Sequence, residues 1–342
     1  MDYYLGIPCC DYLYILTHYE CLMNIGGYKI SGNILFAPLA GVTNLAYRLL
    51  CKQHGASVTY TEMISSDAVL NGNPQTFRRA MTCKEEGIMG IQLFGSSPEK
   101  ISAAASILEE RYFPPMFDVN LGCPFPVVTK NGGGSALLRS VDMVHDIFMS
   151  LSENIDTPVS AKMRVLGNID ETIRIARVIE DAGACAITVH GRTRSQKYGG
   201  TSDLEYAKRI KSELSIPIIV NGDIRDEPSA EHALAYTGCD GLMIGRAAMG
   251  NPRMFYRISH YLETGEYLAT DTCAQRRDDL INYVGLLERF DLLGSMNIKS
   301  HAQWFTRGFN GSRNVRQMLN DADDVSSIIE CFDILCELSV AH

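Results

Sequence analysis

From residue 33 to about 250 one unit recurs: a short apolar run rich in β-branched residues, then Gly, Pro or polar residues, then a segment of helical period. The apolar runs are 34–40, 58–63, 90–94, 116–121, 158–163, 186–190, 217–221 and 241–244. Runs that are apolar throughout, rather than alternating, suit parallel strands covered on both faces. Eight of them, each followed by a helical segment, lead us to expect an α/β chain folded as a (β/α)8 TIM barrel. Pattern alone leaves a doubly wound sheet as the alternative.

The unusual residues favour the barrel. Pro38, Gln92, Asn120, Cys123, Lys162, Arg164, His190, Arg192, Asn221, Asp223 and Arg246 all fall at or just beyond the C-terminal ends of these runs. In a barrel those ends open on one face, where active sites of this fold are built.

At 342 residues the chain exceeds an ordinary barrel of about 250 residues. After residue 252 the strand pattern gives way to helical spacing, as in Ile281, Val284 and Leu287, then Val325, Ile328, Ile329 and Phe332. The expected division is a barrel over 23–251 and a small C-terminal helical domain over 252–342. Residues 1–22, with five tyrosines and three cysteines, fit neither unit. They are read as an N-terminal extension foreign to the native protein, with Met23 as the physiological start.

With 46% hydrophobic and 21% charged residues, the chain has ample material for a core. No apolar stretch approaches the roughly 20 residues that span a bilayer, so no membrane association and a cytoplasmic location are expected. The 11 cysteines include no CxxC pair, so neither disulfides nor a zinc site is expected. A net charge of −9 argues against a generally basic surface, and any nucleic-acid contact must rest on a local patch. One such stretch exists. From Leu292 to Asn320 there is no Asp or Glu, while Lys299, His301, Arg307, Arg313 and Arg316 are interleaved with Trp304, Phe305 and Phe309. Basic groups neutralise phosphates and exposed aromatics stack on unpaired bases; Trp304 and Phe305 read equally as core residues.

Several motifs bear chemistry. Asp118-Val119-Asn120-Leu121-Gly122-Cys123-Pro124 sets a thiol just past a strand, on a tight turn beside an amide. A cysteine can be a mere small hydrophobe, but this placement suggests more. The glycine-rich 130–135 segment suits a lid. Asn221-Gly222-Asp223 and Gly245-Arg246-Ala247 end the seventh and eighth runs, the loops that most often hold phosphate in barrels. Lys162 near a strand end needs a partner. It suits either charge stabilisation on a reduced flavin or Schiff-base chemistry. His190 reads as a core histidine or a polar contact to cofactor or substrate.

Taken together, Ala37-Pro38-Leu39-Ala40-Gly41-Val42-Thr43-Asn44, Gln92-Leu93-Phe94-Gly95, Asn120-Leu121-Gly122-Cys123-Pro124, Gly134-Ser135-Ala136-Leu137-Leu138, Lys162-Met163-Arg164, His190-Gly191-Arg192-Thr193-Arg194, Asn221-Gly222-Asp223-Ile224 and Gly245-Arg246-Ala247 stand in the order found in tRNA-dihydrouridine synthases. From about residue 24 to its end the chain resembles the bacterial B-type of that family. The resemblance implies FMN as cofactor, NADPH as reductant and tRNA as partner, with no obligate protein partner. Hydride would pass from flavin N5 to uracil C6 while Cys123, as general acid, protonates C5. It further implies that Pro38, Leu39 and Ala40 lie against the isoalloxazine and that Gln92 and Lys162 meet its polar edge. His190 would touch flavin or substrate. Asn221, Gly222, Asp223, Gly245 and Arg246 would hold the ribityl phosphate. Asn120, Arg164 and Arg192, with Lys299, His301, Arg307, Arg313 and Arg316, would contact uracil or tRNA. The chain departs from the family pattern at Leu39, where methionine is usual, at Asn44, where aspartate is common, and at Phe125-Pro126, where charged residues are frequent.

Overall fold

The protein is described by a computed structural model covering residues 21–340; the 1–20 segment, with most of the expected N-terminal extension, lies outside the described residues. Eight parallel strands run in chain order: β1 Ile34–Phe36, β2 Thr59–Tyr60, β3 Met89–Phe94, β4 Met116–Leu121, β5 Val159–Val165, β6 Ile187–Thr193, β7 Ile218–Asn221 and β8 Gly241–Ile244. From β2 onward each pairs with the next, β8 returns to pair with β1, and a parallel bridge between Leu35 and Val58 closes the ring. A sequential order that closes on itself is a barrel and excludes the doubly wound sheet.

The helices α1 Leu45–Gln53, α2 Pro98–Tyr112, α3 Val141–Asn154, α4 Ile169–Asp181, α5 Glu205–Glu213, α6 Glu227–Thr237 and α7 Met254–Thr264 follow β1 and β3 to β8; two shorter helices, Ser66–Leu70 and Pro74–Ala80, follow β2. Polar residues start many of them by accepting from a backbone N–H two or three positions into the helix, as Ser97 does for α2, Asn168 for α4 and Asp226 for α6. Phe255 of α7 meets Phe36 of β1 with ring centroids 5.6 Å apart. Packing on the first barrel strand therefore continues past residue 252.

The N-terminal face is closed by an antiparallel hairpin, Cys21–Ile25 with Tyr28–Ser31. Its Met23, Ile25 and Ile30 are buried with Leu35, Val58, Tyr60, Met116, Ala186, Ile219 and Met243 in a cluster separate from the main core. Gly26 at the hairpin tip sits against Pro158 and Cys185, just ahead of β5 and β6.

Four further helices, α8 Cys273–Arg289, α9 Ile298–Phe305, α10 Ser312–Asp321 and α11 Val325–Val340, form the C-terminal unit. It docks on α1 through aromatic packing: Tyr283 meets Tyr47 at 5.4 Å and Phe305 meets Tyr47 at 6.2 Å, centroid to centroid. Asn44 explains itself here. Its Oδ1 caps Tyr47 N–H at 3.0 Å, while its Nδ2 donates to Tyr283 Oη at 2.8 Å. A carboxylate would supply the cap but not the second donor. Among the described residues no helix is long and apolar enough to cross a membrane.

Candidate functional site

A cavity of about 590 Å³ opens at the C-terminal ends of the strands, a size that suits a cofactor-sized ligand. Its chemistry begins one layer down. Asp118 of β4 is buried, accepts from Gln92 Nε2 at 2.7 Å and from Ser160 Oγ at 2.7 Å, and is pushed up to about 6 by that burial. Gln92 passes the network on, since its Oε1 accepts from Asn120 Nδ2 at 2.8 Å. Asn120 Oδ1 then accepts from the backbone N–H of Gly122 at 3.1 Å and of Cys123 at 2.9 Å. The thiol is thus seated by a chain of amides running down into the barrel.

From the other side Ser135 donates to the Cys123 carbonyl through its N–H at 3.1 Å and its Oγ at 2.8 Å. Gly134 makes that approach possible: at φ +59, a Cβ there would fall 2.8 Å from the Cys123 carbonyl oxygen. Cys123 lines the cavity with 8% of its surface exposed. Burial pushes its thiol up, against smaller opposing effects of the Phe125 N–H and Arg164, so the group is a neutral S–H near pH 7.

The remaining walls are cationic. Lys162, Arg164, Arg192, Arg225, Arg246 and Arg307 line the cavity against one carboxylate, Asp223. Burial lowers Lys162 to about 8, and its ammonium donates to Asn221 Oδ1 at 2.9 Å. His190 is driven down to about 2 by burial and then by the surrounding cations, so it is a neutral imidazole. Gly222, at φ +123, leaves no room for a side chain: a Cβ would lie 2.2 Å from Ser202 Oγ. The guanidinium of Arg246 lies 4.4 Å from the centre of the Tyr198 ring.

Pro38, Leu39, Ala40, Asn120, Cys123, Lys162, Arg164, His190, Arg192, Asn221, Gly222, Asp223, Gly245, Arg246 and Arg307 all reach this cavity. Other expectations need correction. Gln92 does not line it; its amide is committed to Asp118 and Asn120 beneath. Arg164 and Arg192 are only 3% and 2% exposed. Arg164 donates to the carbonyls of Gly122, Thr193 and Lys197, and Arg192 to those of Gly199 and Gly200. Both line the cavity, but their donors are spent on the loops after β4 and β6 and, for Arg192, on Asp223. The Asp223 carboxylate accepts from Arg192 and from Ser202 N–H, which leaves only its backbone for a phosphate.

His301 is also corrected: it is 3% exposed, joined to Tyr283 Oη and to the Gly41 carbonyl at 3.0 Å, and lowered to about 4 by burial. It offers no charge to RNA. Phe305 is core, whereas Arg307 and Arg313 are exposed and Lys299 and Arg316 half-buried. Sequence reasoning missed Asp118, Ser160 and Tyr198. A carboxylate in the middle of the 116–121 strand run was the available signal for the first.

A closed parallel barrel whose C-terminal mouth holds a cationic pocket, a neutral thiol and two glycine-opened loops defines a barrel enzyme built to take an anionic cofactor. The fold is similar to that of a 2-naphthoyl-CoA reductase complex at TM-score 0.53 and 14% identity, covering 71% of this chain and 52% of that one. The chain belongs to the dihydrouridine synthase family, whose model, described as Dihydrouridine synthase (Dus), matches residues 35–338. It is 34% identical to tRNA-dihydrouridine synthase B of Shewanella oneidensis, over 92% of this chain and 97% of that protein. It is 36% identical to the protein of that name from Proteus vulgaris, over 92% and 98%. The Salmonella typhimurium protein of that name is 35% identical over 92% and 99%. Membership implies a flavin cofactor. The pocket fits one: its lone lining carboxylate, Asp223, is already paired with Arg192, so a flavin phosphate would bring counter-charge that Arg225, Arg246, Arg307 and half-buried Lys162 do not find in the lining.

Proposed function

We propose that this protein reduces specific uridines of tRNA to 5,6-dihydrouridine, with FMN as its resident flavin and NADPH as reductant. The observation that carries the reading is Cys123: a protonated thiol held by Asn120 on the wall of a cationic, cofactor-sized pocket. Pro38, Leu39 and Ala40 would face the flavin ring. Lys162 and neutral His190 would meet its polar edge or the uracil. The Gly222 and Asp223 backbone, Gly245 and Arg246 would hold its phosphate, with Asn221 orienting Lys162.

When bound, reduced flavin supplies the hydride that uracil C6 receives. Cys123 gives its proton to C5, and a raised thiol pKa keeps that proton in place until it is needed. Asn120 keeps the sulfur on station by fixing the two N–H groups of its turn. Extruding the uridine costs a few kcal/mol, offset by contacts from Arg307, Arg313, Arg316 and Lys299. We place the protein in the cytoplasm, acting without an obligate protein partner. We divide it into a barrel that ends after α7 and a helical unit from α8 that orients the RNA.

The test is direct. Purified protein should be yellow, and reverse-transcription stops in a deletion strain should lose dihydrouridine at defined positions. Cys123→Ala should keep its flavin and its reduction by NADPH but lose roughly 10²-fold or more in uridine reduction. Full turnover of tRNA by that variant would remove the acid role.

A further inference from the structure

The Cys123 cavity has a neighbour. Pro124 borders both, and beyond it a second cavity of about 430 Å³ lies between the loops after β4 and β6. Its walls carry Arg139, Arg194 and Lys197 and no carboxylate. Arg139 and Lys197 are exposed, and among the described residues their side chains have no hydrogen bond or ion pair. Arg194 donates to Thr129 Oγ1 at 3.0 Å, which ties the two loops together. Three cations on one concave wall repel one another until an anion enters.

The location selects the anion. The helical unit docks on the β1 side, where His301 meets Gly41 and Arg307 enters the main pocket. In a ring of eight strands β5 stands opposite β1, and the second cavity lies between the loops of β5's two neighbours. A nucleotide drawn into the main pocket leaves a phosphate on each side of it at the rim. One side is served by Arg307; the other needs cations across the mouth.

We propose that this second cavity is a phosphate site that grips the RNA backbone on the side of the mouth away from the helical unit. The strand carrying the target uridine then spans the mouth between Arg307 and the Arg139–Lys197 wall. The proposal rests on the tRNA reading above. A phosphate ester also occurs on NADPH, and the experiment separates the two sources.

In flavin-loaded, full-length protein, Arg139→Gln combined with Lys197→Gln raises the tRNA KM several-fold. It also lowers the slope of log affinity against log salt by about 0.7 for each single-strand phosphate that is no longer neutralised. Flavin reduction by NADPH proceeds at the wild-type rate. The charge-preserving pair Arg139→Lys and Lys197→Arg restores tRNA affinity, which separates loss of charge from loss of fold. A wild-type tRNA KM and salt slope in the glutamine pair overturns the proposal. So does a raised KM for NADPH with none for NADH, which would assign the cavity to the reductant's 2′-phosphate. Wild-type protein that reduces no tRNA uridine fails the functional reading itself, and is seen before any variant is made.

Discussion

Asn120→Ala isolates what the thiol's seat contributes. The side chain makes three hydrogen bonds, accepting from Gly122 N–H and Cys123 N–H and donating to Gln92 Oε1. Each is worth about 1 kcal/mol net, and stranded buried partners add to the loss, so destabilisation of about 3 kcal/mol is expected. For a chain of this size that is a fall in Tm of roughly 5 °C. Catalysis should suffer more. A displacement of the reacting group by about 1 Å costs on the order of 10²-fold, and the Cys123 turn loses the side chain that fixes two of its successive N–H groups. The assay is single-turnover oxidation of pre-reduced flavin by tRNA, beside flavin content and the rate of reduction by NADPH. We expect flavin content and NADPH reduction near wild type and uridine reduction down about a hundredfold. A variant with the lowered Tm but a wild-type single-turnover rate would refute the positioning argument, because Cys123 would then be held by Ser135 and Gly134 alone.

Gly222→Ala forces a side chain into a positive-φ position 2.2 Å from Ser202 Oγ; it should lower flavin occupancy of purified protein, read from absorbance, and an unchanged occupancy would detach this loop from the phosphate. Arg313→Glu with Arg316→Glu should weaken tRNA binding in a filter assay while flavin reduction proceeds unchanged; equal tRNA affinity would remove α10 from the interface. The acid role of Cys123 predicts single-turnover uridine reduction that is flat through neutral pH and falls only above the usual thiol range of about 8.5, since burial extends the protonated window upward. A decline centred below neutrality would contradict it. His301 is lowered to about 4 in the fold, so the unfolded chain binds more protons below about 6.5 and stability falls as pH drops from there toward 4. Asp118, raised to about 6, acts oppositely over much of the same window. Comparison with His301→Gln isolates the histidine: its Tm should fall less steeply between about pH 6.5 and 5, and identical slopes would rule the histidine out.

The strands were legible because burial on both faces demands uninterrupted apolar runs. The fourth and eighth, 116–121 and 241–244, match β4 and β8 residue for residue. The run at 58–63 was less faithful: only Thr59–Tyr60 of it is strand, and a second two-residue strand, Ile64–Ser65, starts just past its end, beyond buried Thr61 and Glu62. Thr61 turns its Oγ1 to the Gln92 N–H at 3.0 Å, and Glu62 accepts from Gly41 N–H. No local pattern announces such long-range bonds. The site was readable as a set of strand ends, but the roles of Arg164, Arg192 and His301 were not. An arginine bound to loop carbonyls and an arginine facing a phosphate look the same in sequence, and only the fold shows which acceptors it has already met.

The hairpin under the barrel carries a consequence for traffic. With Met23, Ile25 and Ile30 stoppering the bottom, the way into the vessel among the described residues is the door that Cys123 and Arg307 frame. On the proposed reading, a nicotinamide donor and an RNA base would both meet the same flavin through it. They would then take turns: one visitor leaves before the next is admitted, and the electrons wait inside between the two.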